Sequence, residues 1–292
     1  MANRNFKQVD VFTNSPFKGN PVAVVLDADG LSTEQMQQVA NWTNLSETTF
    51  VVAVTDPGAD YHVRIFTPRA ELPFAGHPTI GTAHALLEAG LIEAKDGALV
   101  QQCRAGLVKL EVTKDAHGAQ WIAFALPEPA MTVLNPRQVD ALEEVLGLPL
   151  QRQLPPWLVD VGPRWVVAQL RNAHNVLAAR PDMQRLKAHD LQAKYTGVVI
   201  FGEHEAEAAA KIEIRAFAPA HGIEEDPVCG SGTGCVGAFI RHSGQIAHFG
   251  SKFLAAQGAV LGRAGVLRLA LSEQTIQVGG NAVTCVDGTI AI

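Results

Sequence analysis

Glu47 lies in "NLSETTFVV", small and hydroxyl-bearing residues leading into an apolar stretch. A carboxyl at such a strand entrance is either an ordinary loop glutamate or, if partly desolvated, a general acid/base with its pKa raised toward the working range. His77 follows Gly76 in "FAGHPTIGTAHALLEAG", and Ser231 follows Gly230 in "DPVCGSGTGCVGAFIRHSG". Each glycine opens a segment that reads as a helix, so each turn would offer unpaired backbone N–H groups and a positive dipole end to an anion. The plainer role of these glycines is close helix packing; their recurrence at matched positions points toward a carboxylate clamp. His77 either relays a proton or is a partly exposed residue at a helix start. Asp226, in "IEEDPVCGSG", either closes an Asx turn or caps the helix, or it orients His77 or a substrate amine. Cys229 stands just ahead of the second helix, where the dipole would favour a thiolate with a lowered pKa; its plainer role is a small packed residue. These residue types suit proton transfer on a small carboxylate substrate.

Other chemistries lack their residues. A nucleophile elbow, G-x-S-x-G, would need glycine where Cys229 stands. There is no Walker A sequence, and "GSGTG" lacks the dinucleotide glycine spacing. His77 and His84 have no acidic or thiol partners at ligand spacing, so a metal site is not expected. The net charge of -6 comes without a Lys/Arg block that could follow phosphates, and no nucleic-acid partner is expected. No apolar run approaches the ~18 residues of a membrane span, and the polar N-terminus lacks a leader pattern. The expected location is cytoplasmic. The four cysteines form no C-x-x-C pair and are expected as free thiols.

What must position these groups is a duplicated unit. Arg64, Phe66 and Pro68 recur as Arg215, Phe217 and Pro219, an offset of 151 residues. "GHPT" at Gly76 recurs as "GSGT" at Gly230, and "RAGLVKL" at Arg104 as "RAGVLRL" at Arg263, with offsets of 154 and 159. Short β-branched runs predict strands at Val9–Phe12, Val22–Leu26, Phe50–Val54, His62–Phe66 and Leu107–Val112. Ser32 with Gln35 is a capping-box signature for a helix using Met36, Val39 and Ala40. The segments after Gly76 and Gly230 are small or apolar nearly all round and stop at Gly90 and Gly244, as enclosed helices should. The prediction is an α+β fold of two similar half-domains, each a barrel-like sheet wrapped around a central helix and related by a pseudo-twofold axis, with one cleft between them. Residues 1–128, joined by a C-terminal strand at 282–292, would form the first half, and 129–281 the second. The three-proline segment Leu126 to Gln138 reads as the linker, with a helix from Pro136 using Val139, Leu142 and Leu146 and ending at Gly147.

In their order, "FKGNPVAVV", "SETTF", "FTPRAELPFAGHPTIGTAHAL" and "EDPVCGSGTG" make the whole chain resemble the PhzF-like phenazine-biosynthesis family. The resemblance implies the diaminopimelate-epimerase-like fold, usually as a homodimer, and isomerisation of dihydro-3-hydroxyanthranilate by proton transfer without metal or cofactor. Carried over by motif, it implies Glu47 as the main acid/base and His77, Asp226 and Ser231 as groups assisting the proton's path. Asn20, Gly76, Cys229 and Gly230 would then contact the substrate. Cys229 replaces a threonine usual in that family and resembles the catalytic cysteine of epimerases and racemases, whose second cysteine would fall at Ala75. Two alternatives follow: an amino- or hydroxy-acid epimerase pairing Cys229 with Glu47 or His77, and a non-catalytic ligand-binding protein.

Overall fold

The computed structural model describes residues 2–115 and 118–292. Two units are formed, Met1–Ala125 with Gly279–Ile292, and Leu126–Val278. The first contains β1 (Asn3–Val11), β2 (Asn20–Val25), α1 (Thr33–Thr43), β3 (Glu47–Val52), β4 (Tyr61–Phe66), β5 (Glu71–Leu72), α2 (Gly76–Glu88), β6 (Ala98–Cys103), β7 (Gly106–Lys114) and β8 (Gln120–Ala125). The second runs through β9 (Ala130–Val133), α3 (Pro136–Leu146), β10 (Trp157–Asp160), β11 (Arg164–Gln169), α4 (Ala173–Ala178), α5 (Met183–Ala193), β12 (Gly197–Glu203) and β13 (Ile212–Ala218). It continues with β14 (Ile223–Asp226), α6 (Gly230–His242), α7 (Ile246–Phe249), β15 (Lys252–Gln257), β16 (Gly265–Leu271) and β17 (Ile276–Gly280), before β18 (Ala282–Ala291) completes the first unit.

The strands of the two units repeat one pairing scheme. In the first unit β2 and β3 are parallel, β3 and β4 antiparallel, and β4 parallel to β6. In the second, β11 and β12 are parallel, β12 and β13 antiparallel, and β13 parallel to β15. Both parallel steps need a crossover, which the helices provide. Strand β1 lies between β2 and β18, and Lys7 ties all of this together by reaching Glu88 of α2 at 2.8 Å and Asp287 of β18 at 2.7 Å.

Within each sheet sits the enclosed helix. Ten of the thirteen residues of α2 are buried, and it packs on β1, β2, β3, β8 and β18. Its close approach to β2 depends on Gly81, where a Cβ would lie 2.4 Å from Val22 Cγ1. Helix α6 is enclosed in the same way by β10, β11, β12 and β16. Amphipathic helices cover the outer faces. Met36 and Ala40 of α1 pack with Val25, Phe50 and Phe66, while Leu142 and Leu146 of α3 and Leu186 of α5 pack with Val166, Val198 and Phe217. Each such large aliphatic side chain contributes about 1.5–3 kcal/mol by leaving water.

The expected caps are present. Ser32 and Gln35 form a capping box on α1, and Asn135 and Gln138 form another on α3, which ends at left-handed Gly147. The stretch expected as a linker instead contributes β9, which pairs antiparallel with β10. Its prolines, Pro127, Pro129 and Pro136, flank the four strand residues, so none withdraws a donor from the ladder. The strand expected at Phe50–Val54 starts three residues earlier, which makes Glu47 a strand residue.

Candidate active site

In the first unit, parallel pairing sets Glu47 opposite Val22, and the next residue, Thr48, opposite Phe66. Gly76 opens α2, and His77, one residue on, brings Nε2 to 3.3 Å from Glu47 Oε2. Both side chains are largely buried, with 8% of His77 and 14% of Glu47 exposed. Burial pushes the His77 imidazole down to about 3, partly offset by a hydrogen bond to the Pro21 backbone. At neutral pH the contact is thus a carboxyl facing a neutral ring, not an ion pair. His77 Nε2 has no aligned hydrogen-bond partner, so the ring proton lies on Nδ1, given to the Pro21 carbonyl, and Nε2 presents a lone pair. The N-cap of α2 is Ala75, which supplies no side-chain cap, so its first-turn N–H groups are not claimed by a capping side chain. Asn20 is the first residue of β2 and is 1% exposed.

Two sets of buried polar bonds hold α2 in the first unit. Tyr61 donates to Gln101 at 3.1 Å, and Gln101 donates to Thr79 of α2 at 3.0 Å. Thr82 donates to Thr49 of β3 at 2.9 Å, and Thr49 donates to the Ala23 carbonyl at 3.3 Å. The Thr82–Thr49 bond fixes α2 against β3, the two elements carrying His77 and Glu47, and the Gln101–Thr79 bond ties α2 to β6.

The second unit carries a different set. Asp226 ends β14, and its Oδ1 accepts from Val228 N at 3.1 Å, an Asx turn. Desolvation pushes its carboxyl up to about 6 against the hydrogen bonds from Cys229 and Val228, with Glu225 adding repulsion. Cys229 is the N-cap of α6, and its Sγ accepts from Gly232 N at 3.3 Å. The lowered thiol pKa expected at this helix start is not found. Burial and the neighbouring Asp226 charge push the Cys229 thiol well up, overriding the Gly232 hydrogen bond and the Ser231 hydroxyl. Ser231 Oγ accepts from Trp165 Nε1 at 3.1 Å. Two residues that sequence reasoning passed over act here. Buried Gln257 accepts from Cys229 N at 3.0 Å and donates to the Asp226 carbonyl at 2.8 Å. Trp165 is the other. A polar residue just before Gly258 was the only signal for the first, and a lone indole carries none for the second.

Among the described residues no group of three His, Cys, Asp or Glu side chains is arranged to hold a metal ion, and no helix is long and apolar enough to cross a membrane. The family model for phenazine biosynthesis-like proteins, PhzC-PhzF, matches residues 9–288. The chain belongs to the PhzF family. It is 43% identical to the protein antisense-enhancing sequence 1 of Schizosaccharomyces pombe, with 99% of each chain covered. It is 34% identical to the trans-2,3-dihydro-3-hydroxyanthranilate isomerase of Pseudomonas chlororaphis over 97% of this chain and 98% of that one. The crystal structure of a PhzF-family phenazine biosynthesis protein from Bacillus anthracis superposes with a TM-score of 0.85 at 26% identity, covering 100% of both chains. The fold is that of PhzF and diaminopimelate-epimerase-like proteins, and the chain is a PhzF-family isomerase.

Proposed function

We propose that this PhzF-family protein shifts a proton along a small cyclic carboxylate, of the dihydro-hydroxyanthranilate kind named for its Pseudomonas relative, using its own side chains and no cofactor. Glu47 is the acid/base. Its carboxylate takes a proton from an activated ring C–H and becomes a carboxylic acid. As that C–H bond breaks, the electron pair moves through the conjugated double bonds, and Glu47 returns the proton to a carbon further along the ring. Atoms and charge balance without an oxidant. The observation that carries this reading is the Glu47–His77 contact of 3.3 Å. Once Glu47 is protonated, its O–H donates a hydrogen bond to the lone pair on His77 Nε2, which stays neutral because burial holds its pKa down, and this keeps the proton on Glu47 near the substrate while the carbanion-like species exists.

The first-turn N–H groups at Gly76 and His77, with Asn20, are the proposed anchors of the carboxylate. Asp226, Gly230 and Ser231 are further proposed substrate-binding groups, with Asp226 suited to a substrate amine. The epimerase reading needs a thiolate at Cys229, and a buried thiol held beside Asp226 speaks against it. Retention of Glu47, His77, Asp226 and Ser231 together speaks against a binding protein without chemistry.

The test is proton NMR of trans-2,3-dihydro-3-hydroxyanthranilate with EDTA-treated enzyme in D2O. The expected result is deuterium entering a ring carbon as the double bonds move. No exchange, or exchange that vanishes with EDTA and returns with added metal, would overturn the proposal.

A further inference from the structure

Trp165, the second residue of β11, donates its indole N–H to Ser231 Oγ at 3.1 Å and is 3% exposed. In parallel register it faces Gly197. Gly197 holds the place in the second unit that Glu47 holds in the first: each opens its strand, each faces β2 or β11, and the following residue opposes Phe66 or Phe217. A Cβ at Gly197 would lie 1.9 Å from the Phe217 carbonyl oxygen and 2.8 Å from Trp165 Cζ3. No side chain can project there, and the indole covers the position. Ser231 in turn corresponds to His77, since each is the second residue of its enclosed helix. The second unit has therefore replaced a carboxyl–imidazole pair with an indole–hydroxyl pair.

The two pairs do opposite things to a proton. An indole N–H only donates, whereas a serine hydroxyl has one proton and two lone pairs. With one lone pair taken by Trp165, the Ser231 proton is turned away from the indole. Its other near neighbour is Cys229 Sγ at 3.6 Å, a weak sulfur acceptor that also accepts from Gly232 N and that a substrate carboxylate would displace as the partner of the Ser231 proton. We propose that Trp165 is a positioning residue that fixes Ser231 as a one-way hydrogen-bond donor to the substrate carboxylate. This rests on the reading of Ser231 as a substrate-binding group.

Anthranilate, a stable aromatic carboxylate, serves as the probe. Its affinity is measured by calorimetry for the wild type, Trp165→Phe, Ser231→Ala and the double variant, with thermal melts as a folding control. One hydrogen bond's worth of loss predicts about fivefold weaker binding in each single variant and no further loss in the double. In 15N spectra the Trp165 indole resonance should move when anthranilate binds wild type and stay still in Ser231→Ala. This measurement decides the matter if Trp165→Phe fails to fold. Wild-type affinity in Trp165→Phe with weakened Ser231→Ala, or additive losses in the double variant, would overturn the role of Trp165 alone. Undiminished affinity in Ser231→Ala, or no saturable binding to wild type, would overturn the reading of Ser231 and this proposal with it.

Discussion

Arg64 and Arg215 hold the same place in the two units and do the same work. Each makes a two-point salt bridge to the next strand, Arg64 to Glu71 at 2.8 and 2.9 Å and Arg215 to Glu225 at 2.9 and 2.8 Å, and each stacks over the phenylalanine two residues on. The enclosed helices likewise both begin at a glycine. The polar groups beside that shared frame have diverged in every case. Glu47 corresponds to Gly197, Leu72 to Asp226, Ala75 to Cys229 and His77 to Ser231. Duplication preserved what holds a sheet to its helix and left each unit one carboxyl, from a different strand. A frame so repeated can host asymmetric chemistry because the proton-handling groups sit at strand and helix ends, outside the salt bridges that the two units share.

The frame should break unequally. Arg215 has 4% of its side chain exposed and also donates to the carbonyls of Val176 and Ala179, whereas Arg64 is 25% exposed. Glu225→Ala would strand a buried charge and cost about 3–5 kcal/mol. Glu71→Ala leaves Arg64 access to water and should cost about 1 kcal/mol. Denaturant unfolding of both variants checks this, and equal losses would refute the view that the second clamp is the more desolvated.

The second unit's carboxyl sharpens the contrast through pH. Asp226 is raised to about 6, so the folded state holds its proton more tightly than the unfolded chain does. Its penalty is absent below the ordinary carboxylate range near pH 4 and grows as pH rises through about 6. The side chain is only half-buried, so water screens part of the effect, and Asp226→Asn should stabilise the protein at pH 7 by about 1–2 kcal/mol. That gain should vanish at pH 4. A pH-independent gain would show that repulsion and burial of the charge are not its cause.

Cys229→Thr should have the smallest effect. Its oxygen can replace sulfur as the α6 cap, so stability should change by about 0.5 kcal/mol or less. Turnover should stay within about twofold, because a general acid/base would be worth at least a hundredfold. Inactivation by iodoacetamide with protection by a carboxylate would instead revive the epimerase reading.

The duplication was legible in the sequence because Arg, Gly and Pro recur at near-constant offsets, and it carried the fold. The strand at Glu47 was legible only in part. Its apolar core, Phe50 to Val52, announces itself, while Glu47 and the two threonines look like loop until the pairing with β2 and β4 is seen. Strand β9 was hidden because prolines on either side read as a linker. Trp165 was invisible for a different reason: its meaning lies in a hydrogen bond spanning 66 residues. For Cys229 the sequence exposed the helix start that would favour a thiolate and concealed the burial and the Asp226 charge that oppose it.

Assigning the transferred proton to Glu47 of the first unit is open to direct measurement. Deuterium incorporation into trans-2,3-dihydro-3-hydroxyanthranilate in D2O, followed by NMR for wild type and Glu47→Gln with folding checked by thermal melt, measures that step alone. Glu47→Gln keeps the size of the side chain and removes its basicity, so exchange should fall by about a hundred- to ten-thousand-fold with an unchanged melt. A folded Glu47→Gln protein that still exchanges within about tenfold of wild type would contradict the assignment of the acid/base to Glu47.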